Sequence, residues 1–385
     1  MWITFAPITS VATSYYGVSD LQIGILSICF MIVYIVVSIP ASWVIDSYGI
    51  RIGVGTGAAL TGIFGLLRAF AGPDYTILLL AQIGIAIGQP FLLNAITKIA
   101  ARWFPIEERA TATGLGTLAM YCGILLGMLL TPYLSLGLSI GRMLYIYGIA
   151  SVICAAMFLL FSKERPPTAP CRPDQEERSL VFDGLKNTLQ NKDFKWLMFI
   201  FFIGLGVFNS VTTWIEDILR PRGFSSTQAG ITGGLMIFGG ILGAIVIPML
   251  SDHYRKRTPF IFIALIGAIF GLTGITFATS YWFLLTSGIV LGFFLLSAGP
   301  IGFQYGAEIT YPASEGTSNG LLLLIGQISG IAFIFGIDFL KSPVTASMTK
   351  PLTILIILIF LSLLLSMKLK ESQLMEVLRK KNNVI

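Results

Sequence analysis

Apolar runs of about twenty residues, separated by short polar breaks, follow one another almost from end to end of the chain. A helix of about 20 residues crosses the roughly 30 Å hydrocarbon core of a bilayer. Inside that core each backbone N–H and C=O has to be paired within its own segment, so such runs specify membrane-crossing helices. Charge is correspondingly scarce: 11% of the 385 residues are charged, against roughly 25% in a soluble domain. The 41 glycines suit helices that approach one another closely in lipid. The pattern predicts spans over residues 1–15, 21–45, 52–72, 76–101, 110–136, 141–162, 196–219, 227–251, 259–278, 281–305, 317–340 and 351–368. The fold class is all-α membrane protein.

The longest gap between spans holds Pro166, Pro167, Pro170 and Pro173 and then a charged amphipathic stretch over 180–189, read as a surface helix. It divides the chain into a six-helix bundle over 1–162, a linker over 163–193, a second six-helix bundle over 194–370 and a tail over 371–385. Counted at alternate loops, Lys and Arg number 18 on one side and 6 on the other. The positive-inside rule then makes the linker and C-terminus cytoplasmic, with the plasma membrane as the expected location. The net charge of +6 reflects this asymmetry and does not point to nucleic acid. Cys29, Cys122, Cys154 and Cys171 lack metal-ligand spacing, and the three within apolar segments read as buried thiols. No signal peptide is expected. No metal cluster and no nucleotide-binding glycine loop between a strand and a helix is expected either, and those two readings argue against an enzyme.

The chain also matches itself. Shifted by 206 residues, Gly17-Val-Ser-Asp-Leu-Gln-Ile-Gly-Ile25 lies over Gly223-Phe-Ser-Ser-Thr-Gln-Ala-Gly-Ile231, and ten of the 35 positions from 17 to 51 are identical. A weaker echo at 207 puts Phe104-Pro105 and Glu108 on Tyr311-Pro312 and Glu315. Two parallel copies of a six-helix unit are the expected architecture. Met1 falls on Val207, although the seventh span begins near Trp196, so the first span is expected to lack about eleven residues, through a missed upstream start or a clipped gene product.

The repeat duplicates a charged loop: Asp46-Ser-Tyr-Gly-Ile-Arg51 and Asp252-His-Tyr-Arg-Lys-Arg257 end spans 2 and 8. This Asp-x-x-[Gly/Arg]-x-Arg pattern resembles the signature loop of the major facilitator superfamily. The resemblance implies that Asp46, Arg51, Asp252 and Arg257 act in gating, the carboxylate capping the next helix and pairing with arginine. Ordinary basic loops are the plainer alternative. Lys98 and Glu308, near the ends of spans 4 and 10, are ionisable groups inside a membrane, which usually pair or mark a pathway. They are expected to form a gating ion pair, or to share a network with Asp46 and Arg109.

Further stretches, above all Phe303-Gln-Tyr-Gly-Ala-Glu-Ile-Thr-Tyr-Pro-Ala-Ser-Glu-Gly-Thr-Ser-Asn-Gly-Leu321, with Tyr16-Gly-Val-Ser19, Tyr34-Ile35 and Pro40-Ala41-Trp43, resemble the feline leukaemia virus subgroup C receptor-related transporters. That resemblance implies uptake of choline or ethanolamine, or haem export. Of the choline-site positions it implies, Trp2 and Gln327 match, whereas Tyr121 stands for a glutamine and Asn209 for a tyrosine.

The repeat itself maps Trp2 to Phe208, about twelve residues into span 7, and Tyr121 to Gln327. Trp2, Tyr121, Asn209, Gln327 and, on span 4, Gln89 are the candidate substrate contacts in a central cavity between the halves. An aromatic face attracts a quaternary ammonium, and amides can orient a hydroxyl. The alternative is that the aromatics pack helices and that Gln89, Asn94 and Gln304 join helices by hydrogen bonds. Glu216, Asp217 and Asp338 lie near outer ends of spans, and no carboxylate or histidine sits at mid-span, which favours facilitated diffusion over proton symport. A co-transported ion remains an alternative. The only histidine, His253, lies in a loop, which counts against haem. The expected function is transport of a small organic solute by alternating access, as a monomer in the bilayer. A non-transporting sensor or scaffold of the same fold is the second class.

Overall fold

The computed structural model describes residues 1–105, 108–167, 188–310 and 315–372. The predicted surface helix over 180–189 lies largely outside these residues, as do Cys171 and most of the tail. The chain forms two compact units, Met1–Ser179 and Leu180–Ile385. Among the described residues, eleven helices are long and apolar enough to cross a membrane.

In the first unit a short 3-10 helix (Ala6–Ile8) leads into α1 (Thr9–Tyr16), followed by α2 (Asp20–Tyr48), α3 (Ile50–Leu67), α4 (Tyr75–Leu93), α5 (Ala95–Trp103), α6 (Arg109–Leu138) and α7 (Ile140–Phe161). The second unit contains α8 (Lys192–Thr213), α9 (Ile215–Leu219), α10 (Ser226–Tyr254), α11 (Thr258–Phe277), α12 (Tyr281–Thr310), α13 (Glu315–Leu340) and α14 (Thr349–Ser366). The predicted first span is an eight-residue α-helix preceded by turns and the 3-10 segment, and is shorter than a bilayer crossing. The predicted span 4 is interrupted at Asn94, and span 7 at Trp214.

The self-match over 17–51 has a local cause. In both copies a glycine with positive φ, Gly17 at 65° and Gly223 at 84°, turns the chain. A serine then caps the next helix and exchanges hydrogen bonds with a glutamine at its third position: Ser19 with Gln22, and Ser225 with Gln228. Packing repeats as well. In the first unit α2 and α3 pack on α4, and α3 on α7; in the second α10 and α11 pack on α12, and α11 on α14. The α10–α12 crossing needs glycine: a Cβ on Gly292 would collide with the Met236 carbonyl, and one on Gly243 with the Phe293 carbonyl. Large apolar side chains such as Ile39, Phe270, Trp282 and Phe339 stand exposed, as expected of a surface that meets lipid.

The thiols differ in part from expectation. Cys29 is buried, but Cys122 and Cys154 are exposed on α6 and α7, because each points away from its own unit's core.

Candidate functional site

Trp2 is half-buried, and its indole Nε1 donates to the Ser27 carbonyl at 3.3 Å. Its ring packs against a cluster of Cys29, Phe30, Ile85 and Ala86. Ile85 and Gln89 are four residues apart on α4, so they share a helix face one turn apart. The side-chain carbonyl of Gln89 is buried and accepts no hydrogen bond among the described residues. Trp2 thus packs on a cluster that includes Ile85, one turn from Gln89 on α4. Tyr121 is half-buried on α6. In the second unit, Asn209 is buried on α8 and donates to the Gly326 carbonyl at 3.3 Å, beside Gln327 in sequence, which is half-buried on α13.

Asn94 is fully engaged. Its amide nitrogen donates to the Ser38 carbonyl (3.1 Å), the Ser38 hydroxyl (3.0 Å) and the Ser42 hydroxyl (2.9 Å), while its oxygen accepts from Tyr34 at 2.9 Å. It joins the α4–α5 junction to α2, the packing role weighed for it from sequence. Gln304 donates to Glu308 at 3.2 Å.

The charged groups form one cluster in each unit. Lys98 pairs with Asp46 and donates to the Ile45 carbonyl at 3.3 Å. In the second unit Arg257 pairs with Asp252 and with Glu308, whose Oε1 it meets from both Nε and Nη2 at 3.1 Å. Burial alone would lower the Arg257 pKa, but the hydrogen bonds and charges of Asp252 and Glu308 outweigh it and hold the guanidinium above its ordinary value. Within the first unit Lys98 thus meets Asp46, as in the shared network weighed for it from sequence, and within the second unit Glu308 meets Arg257. Arg109 donates to the Phe104 carbonyl at 3.4 Å.

The expected capping role of Asp46 is taken by another residue. Glu164, just beyond α7, accepts from the backbone N–H of Ile50 (3.0 Å) and Arg51 (2.8 Å) at the start of α3, and pairs with Arg102. Asp46 instead faces Lys98 from the last turn of α2, and the Arg51 side chain is exposed. The second unit repeats the device: Glu371 accepts from the N–H of Arg257 (2.8 Å) and Thr258 (3.3 Å) at the start of α11. These two glutamates escaped the sequence reading. Their separation, 371 − 164 = 207, is the offset of the weaker echo, and both stand in a Lys-Glu pair just past an apolar span. A carboxylate at a helix N-terminus meets the positive end of the dipole and two unpaired N–H groups.

The sequence pattern of the Major Facilitator Superfamily matches residues 1–334. Among curated relatives, Solute carrier family 49 member A3 of Xenopus tropicalis is 31% identical over 91% of this chain and 76% of its own length. The choline/ethanolamine transporter FLVCR1 of Felis catus is 30% identical over 86% of this chain and 63% of its own length. The human choline/ethanolamine transporter FLVCR2 is 26% identical over 86% of this chain and 67% of its own length. The chain thus spans between about three fifths and three quarters of these relatives. Among solved structures, a bacterial homolog of the human lysosomal transporter Spinster superposes with a TM-score of 0.70 at 18% identity, covering 95% of this chain and 93% of that one. The nucleoside transporter NupG gives 0.68 at 17% identity, covering 96% and 95%. At that identity the two structures speak to fold alone. Fold, span count and sequence pattern agree: the chain is a multi-pass integral membrane protein, it is not an enzyme, and it belongs to the Major Facilitator Superfamily of transporters.

Proposed function

We propose that this chain carries a small organic ammonium compound, of the choline or ethanolamine kind, across a membrane by alternating access. The observation that carries this reading is the unpartnered, buried carbonyl of Gln89, one helical turn from the cluster on which Trp2 packs. A cationic nitrogen is attracted to an indole face, and a substrate hydroxyl or N–H can donate to an amide oxygen that no protein group occupies. The names of the human and cat relatives as choline/ethanolamine transporters support the same substrate class. Trp2, Gln89 and Tyr121 of the first unit, and Asn209 and Gln327 of the second, are the proposed contacts. Asp46, Arg51, Lys98, Arg109, Asp252, Arg257 and Glu308 are proposed to set the balance between conformational states. The protein is proposed to work as a facilitative monomer in the plasma membrane, with 163–193 and 371–385 on the cytoplasmic side.

Uptake into cells or liposomes carrying the chain tests this, with labelled choline, ethanolamine, betaine, carnitine, haem and small carboxylates offered in turn. Saturable uptake of choline or ethanolamine, unchanged when proton and sodium gradients are collapsed, is the expected result. Trp2→Ala should weaken apparent affinity roughly 5- to 30-fold, the equivalent of about 1–2 kcal/mol of cation–π attraction, while Trp2→Phe retains most of it. A clear response to an anion or haem, with none to any amine, would overturn the proposal.

A further inference from the structure

Between α3 and α7 the first unit has an open groove of about 630 Å³. Most of its length is apolar. Ile52 and Leu159 line it with exposed side chains, and Gly55 beside them is buried. A Cβ on Gly55 would come to 3.1 Å from Leu159 Cδ2, so the glycine keeps that space open. From Arg51 to Ala59 the groove follows α3 for eight residues, about 12 Å at 1.5 Å per residue. The hydrocarbon of one bilayer leaflet is about 15 Å deep.

One end of the groove is polar, lined by Tyr48, Arg51 and Glu164. Tyr48 meets Trp43 edge-on at 5.7 Å between ring centroids, and both rings are exposed. Exposed aromatic rings of this kind mark the level where hydrocarbon meets headgroups. Glu164 is already engaged, by Arg102 and by the N–H groups of Ile50 and Arg51. The Arg51 side chain is not: among the described residues it makes no ion pair and no hydrogen bond. Lys163 and Arg165, both exposed, flank Glu164 in the chain. The polar end therefore carries a surplus of positive charge at the mouth of an apolar channel.

We propose that this groove holds one anionic glycerophospholipid, its phosphate against the Arg51 guanidinium and an acyl chain along Ile52, Gly55 and Leu159. A guanidinium suits phosphate in both charge and shape. A zwitterionic lipid would bring an ammonium as well, and the carboxylate of the groove already has its partners. A soluble phosphate would leave the apolar length uncovered. In the orientation proposed above, this end faces the cytoplasm, and the cytoplasmic leaflet is the one that carries anionic lipid. The groove is separate from the proposed solute contacts, and the assignment does not rest on the substrate reading.

Native mass spectrometry of the purified full chain tests it, with phosphatidylglycerol titrated against phosphatidylcholine of the same acyl chains. One phosphatidylglycerol should be retained per chain, with a Kd roughly fivefold or more below that of phosphatidylcholine. Arg51→Gln should abolish the preference and Arg51→Lys should keep part of it. Arg51 is exposed, so its replacement leaves the helix packing in place. Lys256→Gln, in the basic loop of the second unit, should leave the preference intact. Glycerophosphate, which has the phosphate without the chains, should not displace the lipid at equal concentration. Equal binding of the two lipids, a preference undiminished in Arg51→Gln, or displacement by glycerophosphate would each refute the proposal.

Discussion

Glu164 and Glu371 each hold two backbone N–H groups at the start of a membrane helix, α3 and α11. Replacing either by alanine removes charge-assisted hydrogen bonds and should lower stability by about 1.5–3 kcal/mol, read from melting or denaturant midpoints. Neutralising the adjacent Lys163 should change little. The ion pairs should rank by burial. Arg257 and Glu308 have side chains 5% and 2% exposed, whereas Lys98 and Asp46 are 22% and 37% exposed. Glu308→Ala leaves an enclosed guanidinium short of one partner and should cost about 3–5 kcal/mol, while Asp46→Ala should cost under about 1 kcal/mol. A reversed ranking in parallel melts would contradict this account. That Asp46, Arg51, Asp252 and Arg257 stand at helix ends was legible because the repeat duplicates them. Glu164 was not, because it lies just past the last apolar residue and reads as part of a polar linker. Its role depends on α7 ending beside the start of α3, which no local pattern records.

At the scale of elements, the two turn-and-cap devices before α2 and α10 are fully written in the sequence as Gly-x-Ser-x-x-Gln. Ser19→Ala and Ser225→Ala should each cost about 1 kcal/mol, since either change removes one cap. The α10–α12 crossing is less forgiving. Gly292→Leu would drive a branched side chain into the backbone of α10 at Met236 and should abolish a folded, monodisperse protein on size exclusion. Gly292→Ala already sets a Cβ against the Met236 carbonyl and should fold, if at all, only with α10 and α12 forced apart and a large loss of stability. The interruptions at Asn94 and Trp214 were not foreseen, because apolar residues continue past both, Ala95 and Ile96 in one case and Ile215, Ile218 and Leu219 in the other. Their causes are partners on other helices: Asn94 bonds Ser38, Ser42 and Tyr34 of α2, and the Trp214 indole donates to the Ile334 carbonyl of α13 at 3.1 Å.

For the whole molecule, the asymmetry of Lys and Arg makes one orientation testable. Cysteines introduced singly into 163–193 should be labelled by an impermeant maleimide only after the cytoplasmic face is opened, in a background lacking Cys122 and Cys154, which are exposed, and the native Cys171 of that segment. Labelling from the outside in intact cells would reverse the proposed topology.

The sequence by itself determined that this is a multi-pass helical membrane protein, built as two related units and belonging to a known transporter family. Those properties are one-dimensional: the length of an apolar run, its spacing, and its likeness to another run 206 residues away. Only the tertiary structure decided which charges meet. It paired Lys98 with Asp46 and Arg257 with Glu308, gave the capping of α3 to Glu164, and enclosed Arg68 within the first unit. The energy of a charge in a membrane depends on neighbours brought by other helices, and those neighbours lie 14 to 114 residues away along the chain.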